Sequence, residues 1–146
     1  MSSKVADIIK YAQAVTLEKG VRLTDGRRAV LEIIASAPKP LGAYDVLEKL
    51  GAYIDNPKPP IAYRALEFLQ ENGFIHRIES LNAYITCCAN HHHEGSQFMI
   101  CDKCGDVEEA HLCSVPEALQ LKTQSAGFKT RYWNVELHGL CVGCQE

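Results

Sequence analysis

Hydrophobic side chains recur at α-helical spacing in four segments of the first half of the chain. This periodicity predicts helices over Ala6–Lys19, Arg27–Ser36, Ala43–Leu50 and Ile61–Asn72. Thr24 can cap the second helix, and Gly73 can end the fourth. Two short segments of alternating polarity follow, FIHRI and AYITC, and the polar turn ESLN between them predicts a β-hairpin.

The order of these elements, helices followed by a hairpin, is that of a winged helix-turn-helix domain, although many small α+β domains share it. The fourth helix favours DNA binding, because Tyr63 and Arg64 lie in its first turn, where a recognition helix enters the major groove. An arginine there can donate to guanine O6 and N7, and a tyrosine ring can contact a thymine methyl group or a phosphate. Taken singly, Tyr63 is equally compatible with a half-buried aromatic residue and Arg64 with a solvated surface charge.

Composition changes near Thr86, since all seven cysteines and five of the six histidines lie beyond it. Residues 1–86 carry 11 Lys and Arg against 10 Asp and Glu, whereas residues 87–146 carry 4 against 8. A chain of 146 residues can form two small cores, which we predict in domains over residues 1–86 and 87–146. The net charge of −3 argues against nucleic-acid binding by bulk electrostatics, so any DNA contact requires locally clustered arginines.

The chain carries no signal for a membrane or for secretion. No stretch approaches the ~18–20 consecutive apolar residues of a membrane span, and the opening MSSKVADIIK lacks the apolar run of a secretory signal. We therefore expect a cytoplasmic protein with no membrane partner. Disulfides do not persist in that reducing compartment, so the cysteines are expected to be metal ligands or buried thiols.

Two CxxC motifs give the strongest chemical signal: CDKC, with Cys101 and Cys104, and CVGC, with Cys141 and Cys144. Two such turns supply the closed tetrahedral set of thiolates that a structural zinc ion prefers, with no open position for a substrate. Disulfides or a thioredoxin-like redox motif are the alternatives, but each CxxC is matched by another and neither lies in a βαβ pattern. The 36 residues between Cys104 and Cys141 exceed the ~15–20 of a compact zinc ribbon, so the ion is expected to join the two ends of a small domain.

A second set of potential ligands lies outside these motifs. It consists of His76, Cys87, the run His91, His92 and His93, and Glu109. One Cys, one Glu and two His make a mixed donor set that zinc accepts. Taken alone, a histidine such as His76 on a strand is more often an edge residue bonded to water or to the backbone.

Five sequence runs together resemble the ferric uptake regulator family and, within it, the zinc uptake regulators. They are VRLTDGRRAVLEII, AYDVLEKL, KPPIAYRALEFLQENGFIHRIES, FMICDKCGDVEE and HGLCVGC, and they cover about residues 15–145. The resemblance implies a homodimeric, metal-dependent transcriptional repressor of α+β class. Its N-terminal winged helix-turn-helix domain would be followed by a small α/β dimerisation domain with zinc sites. It also implies DNA contacts from Arg27, Tyr44, Tyr63 and Arg64.

The same resemblance implies a regulatory zinc site formed by His76, Cys87, His93 and Glu109. Family spacing places the histidine ligand about seven residues before Cys101, where this chain has Glu94. The ligand must therefore lie at least one position away, and we assign His93, with His91 as the reserve. Together with the four cysteines this gives two zinc ions per subunit, one structural and one regulatory. Because the regulatory donors come from both predicted domains, we expect their ion to act as a hinge lock that holds the dimer in its operator-binding form.

Other cysteines and histidines are expected to have lesser roles. Cys88 should point away from Cys87 across the strand, as a buried thiol. His111 and Cys113 look like a ligand pair, yet the family pattern does not require a third site. His138 is expected to pack near the Cys141 motif.

Trp133 stands where iron-type relatives often carry a histidine, which weakens an iron-sensing interpretation.

These observations predict a zinc-dependent repressor of zinc-uptake genes that binds a double-stranded DNA operator, with no catalytic residues and no small-molecule substrate. A sensor of iron, manganese or peroxide within the same family is the first alternative, although a soft thiolate such as Cys87 favours zinc. A zinc-buffering protein or a zinc hydrolase with Glu109 as general base is the alternative from another class. Four-coordination at the second site disfavours the hydrolase, because catalysis needs an open position.

Overall fold

The computed structural model describes residues 3–87, 95–109 and 115–146. The chain forms two compact units, Met1–Asn90 and His91–Glu146. Within the described ranges, the first contains four helices and a hairpin, and the second contains a small sheet with one α-helix. Helices with small sheets confirm the predicted α+β class. Within the described residues, no helix is both long enough and apolar enough to cross a membrane.

The four predicted helices of the first unit are present. They are α1 Ser3–Lys19, α2 Asp25–Ser36, α3 Ala43–Leu50 and α4 Pro59–Glu71. The Thr24 hydroxyl accepts a hydrogen bond from the Arg27 amide at 3.3 Å, which confirms the predicted cap of α2. The start of α4 lies two residues earlier than predicted, because proline fits the first helical position, where its missing N–H is not needed.

One apolar core joins these helices. Its centre is formed by fully buried side chains from α2, α3, α4 and the first strand: Val30, Leu31, Val46, Leu50, Leu66, Leu69 and Ile75. Helices α3 and α4 contribute residues four and three positions apart, and α2 adds the buried Ile34, four positions after Val30. This spacing places side chains on one face of a helix. Burying a Leu or Ile side chain stabilises a fold by about 1.5–3 kcal/mol, so the apolar stripe holds this unit together.

The predicted hairpin follows α4. Strands β1 (Ile75–Ile78) and β2 (Ala83–Thr86) pair antiparallel, with Ile75 opposite Thr86. Arg77 orders the turn between them, because its Nε and Nη2 atoms donate to Asn82 Oδ1 at 3.1 and 2.8 Å and its Nη1 atom donates to Glu79 at 3.0 Å. Asn82 adopts a left-handed backbone with φ of 47°, which asparagine tolerates better than most residues. The hairpin therefore has a defined tip.

The second unit is built on a three-stranded sheet of order β4-β3-β5. Its strands are β3 Gly95–Cys101, β4 Val107–Glu109 and β5 Trp133–Gly139, and helix α5 is Glu117–Ser125. β3 pairs antiparallel with β4 and parallel with β5. A parallel neighbour requires a long crossover, and α5 lies within the one that leads to β5. Phe98 on β3 is fully buried.

Trp133 and Gly95 begin their two parallel strands opposite one another. The Trp133 ring and carbonyl lie so close to Gly95 that any Cβ atom at this position would collide with them. Glycine is therefore required here by packing rather than by backbone conformation.

Candidate metal centres and nucleic-acid interface

The four CxxC cysteines come together in the second unit. Cys101 ends β3, Cys104 lies in the tight turn after it, and Cys141 and Cys144 lie at the short 3₁₀ helix Val142–Cys144. One ligand atom from each lies within 4.8 Å of all the others. The parallel register of β3 and β5 explains this meeting, because it sets Cys101 opposite Gly139, two residues before Cys141.

Backbone hydrogen bonds fix the first cysteine turn. The Gly105 amide donates to the Cys101 carbonyl at 2.9 Å, and the Cys101 amide donates to the Asp106 carbonyl at 2.9 Å. Gly105 has a φ of 78°, a conformation that glycine adopts without steric cost. The Asp102 amide also donates to the Gly139 carbonyl at 2.8 Å, which ties this turn to the end of β5.

The sulfur spacing fits a metal ion better than a disulfide. The Sγ atoms of Cys104 and Cys141 are 3.8 Å apart, whereas a disulfide needs about 2.05 Å. Zinc–sulfur bonds of about 2.3 Å in a tetrahedron set neighbouring sulfurs about 3.8 Å apart. The donor set and its geometry therefore suit one tetrahedral zinc ion.

The Cys101 and Cys144 thiols have very different pKa values. Backbone hydrogen bonds from Cys104 and then from Cys141 lower the pKa of Cys101 from its ordinary value of 9.0 to about 6. Side-chain hydrogen bonding with Cys141 and then with Cys101 raises the pKa of Cys144 to about 12. One thiolate thus forms readily, and a full set of four needs a cation to offset the mutual repulsion of the sulfurs.

The predicted regulatory ligands are divided between the units. In the first unit, His76 on β1 and Cys87 directly after β2 place a ring nitrogen and Sγ within 4.8 Å of each other. The Cys87 amide donates to the Phe74 carbonyl at 3.1 Å, which extends the hairpin ladder by one residue. In the second unit, Glu109 ends β4 with only 7% of its surface exposed. A buried carboxylate is costly unless it is paired, hydrogen-bonded or bound to a cation.

The remaining histidine and cysteine candidates fall in two groups. His93, its alternatives His91 and His92, Cys88, and the pair His111 and Cys113 lie outside the described residues. His138 is described, and it faces carboxylates: its Nδ1 atom is 3.5 Å from Asp102 and its Nε2 atom 3.9 Å from Glu136. It is thus placed to orient the turn that carries Cys101 and Cys104.

The predicted DNA-contacting residues all lie in the first unit. Tyr44, at the start of α3, has 78% of its surface exposed, and Tyr63 has 49% exposed. Because α4 begins at Pro59, Tyr63 and Arg64 lie in its second turn and not in the first turn, where the sequence predicted them. Arg64 is exposed beside Tyr63. Arg27 is held differently: its guanidinium stacks 3.8 Å above the Phe68 ring and donates to the Arg22 carbonyl at 2.7 Å.

The comparisons with known proteins agree with one another. The model of the ferric uptake regulator family matches residues 18–138. The chain belongs to this family. It is 36% identical over 141 residues to the zinc uptake regulation protein of Escherichia coli (strain K12), covering 96% of this chain and 82% of that protein. The family resemblance predicted from sequence is thereby confirmed.

Solved structures of family members show the same fold. A zinc uptake regulator complexed with zinc and DNA superposes with a TM-score of 0.90 at 34% identity, covering 98% of this chain and 96% of the other. Holo XcZur gives a TM-score of 0.84 at 36% identity, covering 94% and 96% of the two chains. The winged helix with a dimerisation domain, predicted for this ferric uptake regulator family member, is confirmed as its fold class.

Sequence reasoning did not single out Ile61, which lies close to the predicted DNA-contacting residues of α4. Ile61 is 40% exposed in the first turn of α4, ahead of Tyr63 and Arg64. Its signal in the sequence is an apolar side chain that lies outside the buried stripe of Ala62, Leu66 and Leu69.

Proposed function

We propose that this protein is a zinc-dependent, DNA-binding transcriptional repressor of zinc-uptake genes that acts as a homodimer. The observation that carries the proposal is its likeness, over nearly the whole chain, to a zinc uptake regulator complexed with zinc and DNA. The exposed Tyr63 and Arg64 in the second turn of α4 supply the chemistry for reading base edges. The soft donor set at the CxxC motifs supplies the chemistry for zinc.

The four-cysteine cluster is proposed to hold a structural zinc ion. All four donors belong to the second unit, so their ion stabilises that unit without reference to DNA. A closed set of four thiolates leaves no open position, which suits a permanent structural role.

A second zinc ion is proposed at His76, Cys87, His93 and Glu109, which makes two ions per subunit. The proximity of His76 to Cys87 and the burial of the Glu109 carboxylate support these ligands. The division of these donors between the predicted domains 1–86 and 87–146 stays a prediction, as does the assignment of His93. A mixed set of nitrogen, sulfur and oxygen donors binds zinc more weakly than four thiolates, which suits an ion that must dissociate as its concentration falls.

The proposed regulation follows from this division. Zinc bound by donors of both domains would limit the hinge between them. In a two-fold dimer the two recognition helices must meet half-sites roughly 34–36 Å apart, or a multiple of that, so hinge freedom costs affinity. To raise the population of the operator-binding conformation from ~1% to ~99%, zinc must bind that conformation more tightly than the other by about 5.5 kcal/mol. Structural zinc sites supply a total of about 10–16 kcal/mol, so a weaker mixed site needs only part of that range to provide this difference.

The surface of the second unit supports pairing with a second copy. Helix α5 has no buried residue, and Leu119 and Leu121 on it are exposed. Leu137 on β5 and Leu140 just after it are exposed as well. Several large apolar side chains on one small unit mark a protein interface. We assign dimerisation to residues 87–146 and DNA binding to residues 1–86.

The test is operator binding in zinc buffers. Promoter fragments of zinc importers are titrated with the full chain at fixed free zinc, and the shift is measured with and without a chelator. The Cys87→Ala and His76→Ala variants should remain folded dimers that no longer respond to zinc. Zinc-dependent binding that survives in both variants would refute the regulatory assignment, and the absence of any zinc-dependent shift by the unaltered protein would refute the function.

The same titration separates the alternatives. A peroxide operon regulator of Bacillus subtilis is 26% identical to this chain over 141 residues. A peroxide sensor is therefore an alternative to a zinc sensor within the family. The thiolate of Cys87 favours zinc over iron or manganese. Repeating the shift with buffered iron and manganese in place of zinc should give no operator binding at concentrations where zinc is saturating.

A further inference from the structure

The tip of α4 is apolar and exposed. Pro59, Pro60 and Ile61 open the helix, and all three are exposed. Ile61 keeps 40% of its surface in solvent, although Ala62 beside it and Leu66 one turn later are buried. The exposed apolar side chain therefore belongs to the face that carries Arg64, three residues on, where helical neighbours meet.

The same tip lacks the polar groups that helix N-termini normally present. The first N–H groups of a helix point outward and favour phosphate. Here Pro59 and Pro60 have no N–H, and the Ile61 amide donates to the Lys58 carbonyl at 3.0 Å. Few backbone N–H groups are left at the end of α4 to bind a phosphate, so any contact that this tip makes must come from side chains: the ammonium group of the exposed Lys58 and the apolar side chain of Ile61.

Duplex DNA offers one apolar group to a helix in the major groove, the C5-methyl group of thymine. We propose that Ile61 is a specificity-determining residue that packs against a thymine methyl group, next to the base edge contacted by Arg64. This inference rests on the proposed DNA-binding function and deepens it. It predicts that each operator half-site contains a thymine whose methyl group, rather than its hydrogen-bonding edge, is recognised.

Removing single methyl groups from the DNA tests the inference. A duplex is first selected from a random pool by the zinc-loaded full chain, and each thymine is then replaced in turn by uracil, which lacks only the methyl group. Affinities are measured by fluorescence anisotropy for the unaltered protein, Ile61→Ala and Ile61→Val. Leu17→Ala is the matched control, because Leu17 is an aliphatic residue on α1 with 83% exposure.

One thymine per half-site should be sensitive to its methyl group. Burial of one methyl-sized group predicts roughly a fourfold loss for the unaltered protein and for Leu17→Ala at that position. Ile61→Ala should bind the unmodified duplex more weakly and show no further loss there, with Ile61→Val between the two. Methyl removal that weakens Ile61→Ala as much as the unaltered protein at every position would overturn the inference while leaving zinc-dependent binding intact. Failure of the unaltered protein to select any sequence would overturn the proposed function as well.

Discussion

The sulfur atoms of Cys104 and Cys141 lie 3.8 Å apart although 37 positions separate the two residues in sequence. Parallel pairing of β3 with β5 carries the second CxxC motif back to the first. Strand pairing and cation binding are therefore coupled. The pairing brings the four thiols together, and a bound cation in turn stabilises the paired strands.

Replacing Cys104 by Ser should remove one zinc ion per subunit and unfold the second unit. A structural zinc site contributes about 10–16 kcal/mol, which equals or exceeds the total stability of a typical domain, about 5–15 kcal/mol. Zinc content by atomic emission and near-ultraviolet circular dichroism measure the two effects. Lys103→Ala, an exposed change in the same turn, should alter neither. A Cys104→Ser variant with full zinc content would contradict the structural role.

Zinc affinity at the four-cysteine cluster should fall as the pH is lowered. Zinc binds thiolates, so every thiol protonated in the zinc-free protein must lose its proton on binding. With a pKa of about 12, Cys144 carries a proton at neutral pH, whereas Cys101, with a pKa of about 6, is already ionised there. Below about pH 6, Cys101 is protonated as well, so the dependence should steepen by about one proton.

Competition with a chelator of known affinity, titrated across about pH 5 to 8, measures this dependence. A titration of the chelator alone supplies the correction for its own protons. Zinc affinity that is constant across this range would show that the thiols are not the ligands.

Glu109→Gln should weaken the zinc response of operator binding and leave the fold intact. The substitution keeps the size of the side chain but removes the negative charge from a buried donor. The half-maximal free zinc for the DNA shift should rise by about 10-fold or more, which is the scale on which altered ligation changes metal affinity. Glu108→Gln is the matched control, because Glu108 is exposed on the same strand. Equal responses of the two variants would remove Glu109 from the site.

How far the sequence predicted this molecule depends on the range of the interactions. Apolar spacing located α1 to α4 because each helix buries one continuous face, and Thr24 marked a boundary through a local hydrogen bond. The parallel pairing of β3 and β5 has no local signal, because its partners lie far apart in sequence. The contact of Trp133 with Gly95 depends on that register and was equally hidden.

The site divides in the same way. The CxxC motifs identify their ligands by a spacing within four residues. The burial of Glu109, in contrast, appears only once β4 has paired with β3. Exposure of Ile61 depends on which side of α4 the core occupies, and a short apolar run does not reveal that.

Replacing Thr24 by Ala should destabilise the first unit by about 1 kcal/mol, because the free amide at the start of α2 loses its acceptor. Thr24→Ser keeps the hydroxyl and should restore most of the stability. Chemical denaturation followed by far-ultraviolet circular dichroism measures the difference. Equal midpoints for the Ala and Ser variants would show that the cap contributes nothing.

The close fit of Trp133 against Gly95 also has a practical consequence, since this is the only tryptophan in the chain. Its emission spectrum belongs to one half of the molecule alone, while most of the helical signal comes from the other half. Tryptophan fluorescence and far-ultraviolet circular dichroism, recorded during one thermal denaturation, would show whether the two units unfold together or one after the other, with no dye attached.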